Sequence, residues 1–254
     1  MKSKSNSKNP HTPKTANGKA SRRPAAKQQT TAAKTPGNGG VEPAEQVTLD
    51  RKAAAKSTIS NVCVYCGSGP GNSPVYAEGA RTLGHALAGA GIGLVYGGGG
   101  LGLMGEVARA TLEAGGQVTG IIPEFLTQKE HMLRDVDTLL VTKDMHERKR
   151  LMFEKSDAFV ALPGGIGTLE ELVEQLTWSQ LGQHNKPIVV ANIAGFWNPF
   201  LDLLAHMRDD QFIRNGINVR FMVVDEATAI LPTILGAEKR RPGKASDTAI
   251  TAKF

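Results

Sequence analysis

The chain is predicted to be an α/β protein with one parallel sheet and helices on both of its faces, and three features of the sequence say so. Short apolar, β-branched runs alternate with helical patterns from Ile59 to Leu235. Glycine-rich turns fall where a run ends and a helical pattern begins, at 67–69, 97–105 and 164–167. About 180 residues carry this alternation, which is the size of one domain with one good core. Alternating strands and helices bury both faces of a sheet only when the strands run parallel and are joined by right-handed crossovers.

In chain order the expected strands are 61–66, 93–96, 117–122, 138–142, 158–162, 187–192 and 221–224. Expected helices are 74–90, 102–114, 144–155, 168–181, 199–212 and 226–235. Each strand is a brief Val, Ile or Leu run bounded by Gly, Asn or Pro, as fully buried parallel strands read. The expected architecture is a Rossmann-like doubly wound parallel sheet in a single domain, residues 57–238. Ligands on such sheets bind beyond the carboxyl ends of the strands, where the glycine turns lie.

Residues 1–56 are nearly without Leu, Ile and Phe and carry 12 Lys and Arg against 3 Asp and Glu, a formal +9. That is too little apolar surface to offset chain entropy, so a disordered basic tail is expected there and again over 239–254. The body, 57–238, holds 13 cations against 20 acids, a formal −7, so the overall +6 misdescribes it. A basic tail can attach weakly to nucleic acid or an anionic membrane, but no aromatic residue interleaves its charges, and a solvated tail is the preferred reading. No apolar run reaches membrane-spanning length and no signal-peptide core is present, so a soluble, cytoplasmic protein is expected. Cys63 and Cys66 form half a zinc site with no second half, inside a strand-like run. Buried structural thiols are expected, and no metal or cofactor.

Three constellations carry chemistry. Residues 97–105 read G-G-G-G-L-G-L-M-G, containing G-x-G-x-x-G at Gly100, Gly102 and Gly105, with Glu124 after the next strand. A dinucleotide site is one reading; a backbone that comes close to a ribose phosphate at Gly98 and Gly99 is another; a tight turn without ligand is the third. Residues 163–171 read P-G-G-I-G-T-L-E-E. A glycine turn entering a helix aims several N–H groups at one spot and suits a phosphate. The acids Glu170 and Glu171 are out of place in an anion cradle unless they meet a cation or a positive charge that develops during a reaction. The plainer account, a T-x-x-E capping box from Thr168 to Glu171, leaves Gly164, Gly165, Gly167 and Glu170 unexplained. Residues 144–150 read D-M-H-E-R-K-R, a capped helix start with a basic face whose guanidinium can reach the same crevice.

With D-M-H-E-R-K and P-G-G-I-G-T-L-E-E together, and with V-C-V-Y-C-G-S at 62–68 and G-G-G-x-G-L-M-G at 98–105, the chain resembles the lonely-guy (LOG) family of cytokinin riboside 5′-monophosphate phosphoribohydrolases. The resemblance implies hydrolysis of the N-glycosidic bond of a purine nucleoside 5′-monophosphate, giving free base and ribose 5-phosphate. It implies a catalytic pair, Arg148 and Glu171. It also implies substrate contacts by Lys149, by Gly165, Ile166, Gly167, Thr168, Leu169 and Glu170, by Thr177, and by Glu130 in the loop before the basic helix. It further implies a homodimer with the site close to the interface. Members of this family have often carried the label lysine decarboxylase, but no lysine here stands in a context for a pyridoxal phosphate Schiff base.

Chemistry supports the same assignment. Breaking a ribosyl C–N bond builds positive charge on the sugar, which a carboxylate stabilises more in the transition state than in the ground state. The phosphate is remote from that bond, so its binding energy positions the ribose. The expected substrates are cytokinin ribotides and AMP. Two rival readings are an NAD-dependent oxidoreductase, resting on G-x-G-x-x-G and Glu124, and a nucleotide-binding module in which the acids only cap a helix. The catalytic reading requires Arg148 and Glu171 to share a ligand, with the amides of Gly165 to Thr168 facing it.

Overall fold

A computed structural model describes residues 57–127, 132–213 and 219–239, and structural statements below concern those residues. The segments 1–56 and 240–254, expected as tails, lie outside them, as does Glu130.

Seven strands form one sheet: β1 (Asn61–Tyr65), β2 (Gly93–Tyr96), β3 (Val118–Pro123), β4 (Thr138–Thr142), β5 (Ala158–Ala161), β6 (Ile188–Ala191) and β7 (Met222–Val224). Their spatial order is β4-β3-β2-β1-β5-β6-β7 and every pairing is parallel. The chain winds outward from β1 to β4, then returns to the other side of β1 as β5. Val62 therefore pairs with Leu94 on one side and with Ala158 on the other. This reversal opens a crevice at the carboxyl ends of β1 and β5, where open α/β sheets hold their ligands.

The helices are α1 (Pro74–Gly89), α2 (Gly102–Glu113), α3 (Met145–Glu154), α4 (Ile166–Gln180), α5 (Asn198–Asp209) and α6 (Ile230–Lys239). Because side chains alternate across a strand, β1 feeds two cores. Val62 and Val64 pack with Leu83, Leu87, Val107, Ile230 and Ile234 from α1, α2 and α6. Cys63 and Tyr65 pack with Met152, Phe159, Leu172 and Leu176 against α3 and α4. Each large apolar side chain buried in this way stabilises the fold by roughly 1.5–3 kcal/mol. Both cysteines are buried and unpaired, and burial pushes both thiols well above their ordinary range, which disfavours the thiolate.

Some boundaries differ from the sequence expectation for local reasons. The helix expected at 226–235 is a short 3-10 turn, Ala227–Ala229, followed by α6, with Pro232 in its first turn. Only there does a proline cost a helix no hydrogen bond. Helix α5 stops at Asp209 rather than 212, and Gln211 beyond it adopts a left-handed φ of 63°. The start of α4 shifts by two residues. It begins at Ile166, with Gly165 as its cap and no capping side chain. Thr168 is therefore the third helical residue, and the T-x-x-E sequence is not a capping box.

Candidate active site

Three strand-to-helix turns are stitched together at Gly67. Its N–H donates to the carbonyl of Pro163 (3.0 Å), and its own carbonyl accepts from Met104 N–H (3.3 Å). Leu162 N–H in turn donates to Tyr65 O (2.9 Å), closing β1 against β5. Two glycines make this convergence possible. Gly102 has a φ of +56°, and a Cβ on it would lie 2.4 Å from the backbone of Ser68. A Cβ on Gly164 would lie 2.1 Å from Thr168 Oγ1. Gly165 and Gly167 differ in kind: a Cβ on either would meet nothing within 4 Å. They face open space.

That space is a crevice of about 260 Å³, bounded by Cys66 to Ser68, Gly97, Met104, Arg148, Gly165 to Thr168 and Glu171. One wall is the amino end of α4. Its first backbone bond runs from Leu169 N–H to Gly165 O (3.0 Å), so the amides of Ile166, Gly167 and Thr168 have no helical acceptor. Free amides at the positive end of a helix bind anions.

Arg148 from α3 and Glu171 from α4 meet at the crevice, each only 8% exposed. Arg148 Nη1 donates to Glu171 Oε1 at 2.7 Å, and its Nε donates to Ile121 O at 3.1 Å. Met145 Sδ, 3.3 Å from Nη1, lies alongside. Gly97 gives the guanidinium room, since a Cβ there would sit 2.4 Å from Nη2. Burial pushes the Glu171 carboxyl above the usual carboxylate range, and the Arg148 charge and hydrogen bond oppose that shift. Breaking such a pair leaves an uncompensated buried charge, which is why both partners persist together.

Helix α3 begins with a cap on Asp144, whose Oδ1 accepts from Glu147 N–H at 2.8 Å. Glu147 reaches back to Lys143 N–H at 3.0 Å. The cap fixes the helix start four residues before Arg148. Lys149, one residue on, turns away from the crevice. Its Nζ donates to Glu170 (2.6 Å) and Glu174 (3.0 Å) on α4. Burial alone would lower the Lys149 ammonium, but these hydrogen bonds raise it above its ordinary value.

Of the residues singled out from sequence, Arg148, Glu171, Gly165, Ile166, Gly167 and Thr168 line the crevice together. Leu169 is half-buried against the α3/α4 core, Glu170 is exposed with Lys149, and Thr177 bonds the carbonyl of Val173 (2.8 Å) on the outer face of α4. Gly98 and Gly99 are set against β3 and the segment after it rather than on the crevice. A Cβ on Gly98 would lie 3.0 Å from Ile122, its carbonyl accepts from Leu133 N–H (3.2 Å), and Gly99 bridges to Met132. Gly97 is the glycine on the wall. Gly67 and Ser68, from the first glycine turn, line the crevice too, as do Tyr65, Met104, Leu126, Met145 and Met152, to which sequence reading assigned no role. The V-C-V-Y-C-G-S run, which leaves the central strand after Tyr65, was the available signal for Tyr65.

The G-x-G-x-x-G glycines serve chain packing. Gly102 presses on Ser68, and a Cβ on Gly105 would lie 2.2 Å from Gly100 O. The turn also follows β2, whereas a dinucleotide fingerprint occupies the turn after the first strand. Among the described residues, no group of three or more His, Cys, Asp and Glu could hold a metal ion.

Comparison with known proteins decides the family. A sequence model of the family described as "Possible lysine decarboxylase" matches residues 104–234. The probable cytokinin riboside 5′-monophosphate phosphoribohydrolase LOGL1 of Oryza sativa subsp. japonica is 44% identical over 177 residues, covering 70% of this chain and 78% of the relative. The chain belongs to the LOG family. The cytokinin riboside 5′-monophosphate phosphoribohydrolase of Rhodococcoides fascians, another LOG relative, is 43% identical over 183 residues, 72% of this chain and 92% of that one. Among solved structures, the molybdenum cofactor binding protein of Rippkaea orientalis matches with a TM-score of 0.53 at 24% identity, covering 71% of this chain and 98% of that one. The Moco carrier protein of Chlamydomonas reinhardtii matches with the same TM-score at 21% identity and the same coverage. These two establish a shared fold. Among the described residues, no lysine lines the crevice.

Proposed function

We propose that this LOG protein hydrolyses the N-glycosidic bond of purine riboside 5′-monophosphates, cytokinin ribotides and AMP, releasing the free base and ribose 5-phosphate. The observation that carries the reading is the buried Arg148–Glu171 pair, 2.7 Å apart, at a crevice that the open amino end of α4 also lines. The phosphate sits on the amides of Ile166, Gly167 and Thr168, which anchors the ribose with its anomeric carbon toward Glu171. As the C1′–N bond breaks, its electron pair leaves with the purine and positive charge spreads over the sugar ring. The Glu171 carboxylate stabilises that charge and orients the water whose oxygen bonds to C1′; one water proton ends on the departing base. Arg148 keeps Glu171 ionised against the pull of burial. Placing two charges in a nearly dry site makes each worth more to the transition state than it would be in water.

Glu130, Lys149, Leu169, Glu170 and Thr177 enter the same reading through the motif match alone, the last four standing outside the lining of the crevice. So does a homodimer. Ile166, Val173 and Leu181 leave apolar surface exposed along the outer side of α4 beside the crevice, and light scattering measures whether two copies pair. The reading places the protein in the cytoplasm, in keeping with its two unpaired thiols. Among the described residues no helix is long and apolar enough to cross a membrane.

The test is incubation with AMP and with isopentenyladenosine monophosphate, followed by chromatography for free base. Wild type releases base from at least one, and Glu171→Gln loses about 10²–10³ in kcat. Intact nucleotides in both incubations, or full turnover by the folded Gln variant, would refute the proposal.

A further inference from the structure

Helix α4 presents three acids, Glu170, Glu171 and Glu174, to a helix that answers with two cations, Arg148 and Lys149. Arg148 takes Glu171. Lys149 is shared by the other two, and the two acids are unlike each other. Glu170 is 53% exposed, and an ion pair with so open a partner competes with water and holds little by itself. Glu174 is mostly covered. Its Oε1 accepts from Lys149 Nζ, while its Oε2 is buried with no protein partner. A carboxylate oxygen stripped of water and left unpaired is unfavourable, and a residue serving only solubility would not carry that penalty.

We propose that Glu174 is a positioning residue for the reaction, acting through Lys149, which it holds beside Glu171 so that a fixed positive charge offsets the neighbouring Glu170. The inference rests on the hydrolase reading above and adds to it a residue that touches neither substrate nor the catalytic carboxylate.

The physical argument concerns what Glu171 experiences. From α3 it faces the cations Arg148 and Lys149; from α4 it has the acids Glu170 and Glu174; from β1 and the turn after it come Tyr65, Cys63 and Cys66, all buried. Burial and Glu170 favour its protonated form, while Arg148 and Lys149 favour the carboxylate. A protonated Glu171 cannot stabilise a ribosyl cation. Lys149 has a long, flexible stem, so its charge counts at Glu171 only while something holds it there. Glu174 supplies that hold, and it leaves the Lys149 side chain 13% exposed. Without it, the ammonium follows Glu170 into solvent and its effect is screened.

The test is the kcat–pH profile for adenine release from AMP by the full chain, comparing wild type with Glu174→Ala, Glu174→Gln, Lys149→Met, Glu170→Gln and the Glu174→Ala/Lys149→Met double variant. Circular dichroism melts establish which are folded at the assay temperature. Glu174→Ala and Lys149→Met should both lower kcat near pH 6 by about 3–10-fold and move the acid limb upward by about half a pH unit. Glu174→Gln, which keeps the shape, should show the same change to a smaller degree. KM should change less than about 2-fold, and Glu170→Gln should move the limb downward. The double variant should be no worse than Lys149→Met alone, because the effect passes through that residue. A folded Glu174→Ala or Glu174→Gln with the wild-type profile overturns the proposal, as do losses that multiply in the double variant or fall only on KM. A wild type that leaves AMP and isopentenyladenosine monophosphate intact refutes the hydrolase reading instead, before any variant is compared.

Discussion

Gly97 offers a sharp test of the site because its consequence follows from one distance. A methyl group at residue 97 would stand 2.4 Å from Arg148 Nη2, where ordinary contact begins at 3.4 Å, so the guanidinium must retreat by about 1 Å. Met104 Sδ, 3.0 Å from the same methyl, blocks an escape toward α2. A retreat that lengthens the 2.7 Å bond from Nη1 to Glu171 by that amount takes it beyond hydrogen-bonding range. Misplacing a catalytic group by 1 Å costs about 10²-fold in rate, equivalent to about 2.7 kcal/mol in the barrier. Overpacking should also lower stability by about 1–3 kcal/mol. The assay is base release from AMP by Gly97→Ala at saturating substrate, beside a thermal melt. Gly165→Ala is the natural comparison: its backbone is extended (φ −92°, ψ −159°) and its added methyl meets no protein atom. That variant should fold like wild type and raise KM, since the methyl projects into the place assigned to the phosphate. A folded Gly97→Ala with wild-type kcat would show that Arg148 does not need its observed position.

Two further outcomes follow from the same structure. Asp144 is held below the usual carboxylate range by its bond from Glu147 N–H, so its contribution is present above the unfolded-state pKa and disappears as pH falls through the folded one. Asp144→Ala should lower Tm at neutral pH, with the gap to wild type closing in acid; Glu171, shifted upward, has the reverse sign and gains stability on protonation while activity is lost. Phe159 is fully buried and stacked between Tyr65 (6.0 Å) and Phe153 (5.9 Å), so Phe159→Ala should lose about 3–5 kcal/mol in urea unfolding.

The inner strands were legible because each is a short buried run whose Val, Ile and Leu content does not depend on its neighbours, and the edge strands β4 and β7, only partly buried, keep the same composition. What sits next to what was less accessible. Arg148 and Glu171 are 23 residues apart on two helices, and they meet because the chain turns back from the sheet edge at β4 to pair β5 with β1. Motif resemblance supplied their names; topology supplies their contact. Thr168 followed by Glu171 imitated a cap since local sequence cannot show that Gly165 already fills that position. Four successive glycines likewise look equivalent on paper. The incoming Arg148 sets Gly97 apart from Gly98 and Gly99, and that side chain arrives from 51 positions later in the numbering. Lys149 enters as a substrate contact through the motif resemblance, and its ion pairs with Glu170 and Glu174 were not legible because those acids belong to a different helix.

The knot of backbone bonds at Gly67 has a kinetic consequence. Its amide and its carbonyl are both occupied by adjoining turns, so this side of the crevice is assembled during folding, before any ligand arrives. Under the proposed function, the ordering entropy of that wall is charged to the fold and not to the encounter, which leaves binding energy from the phosphate free to orient the sugar.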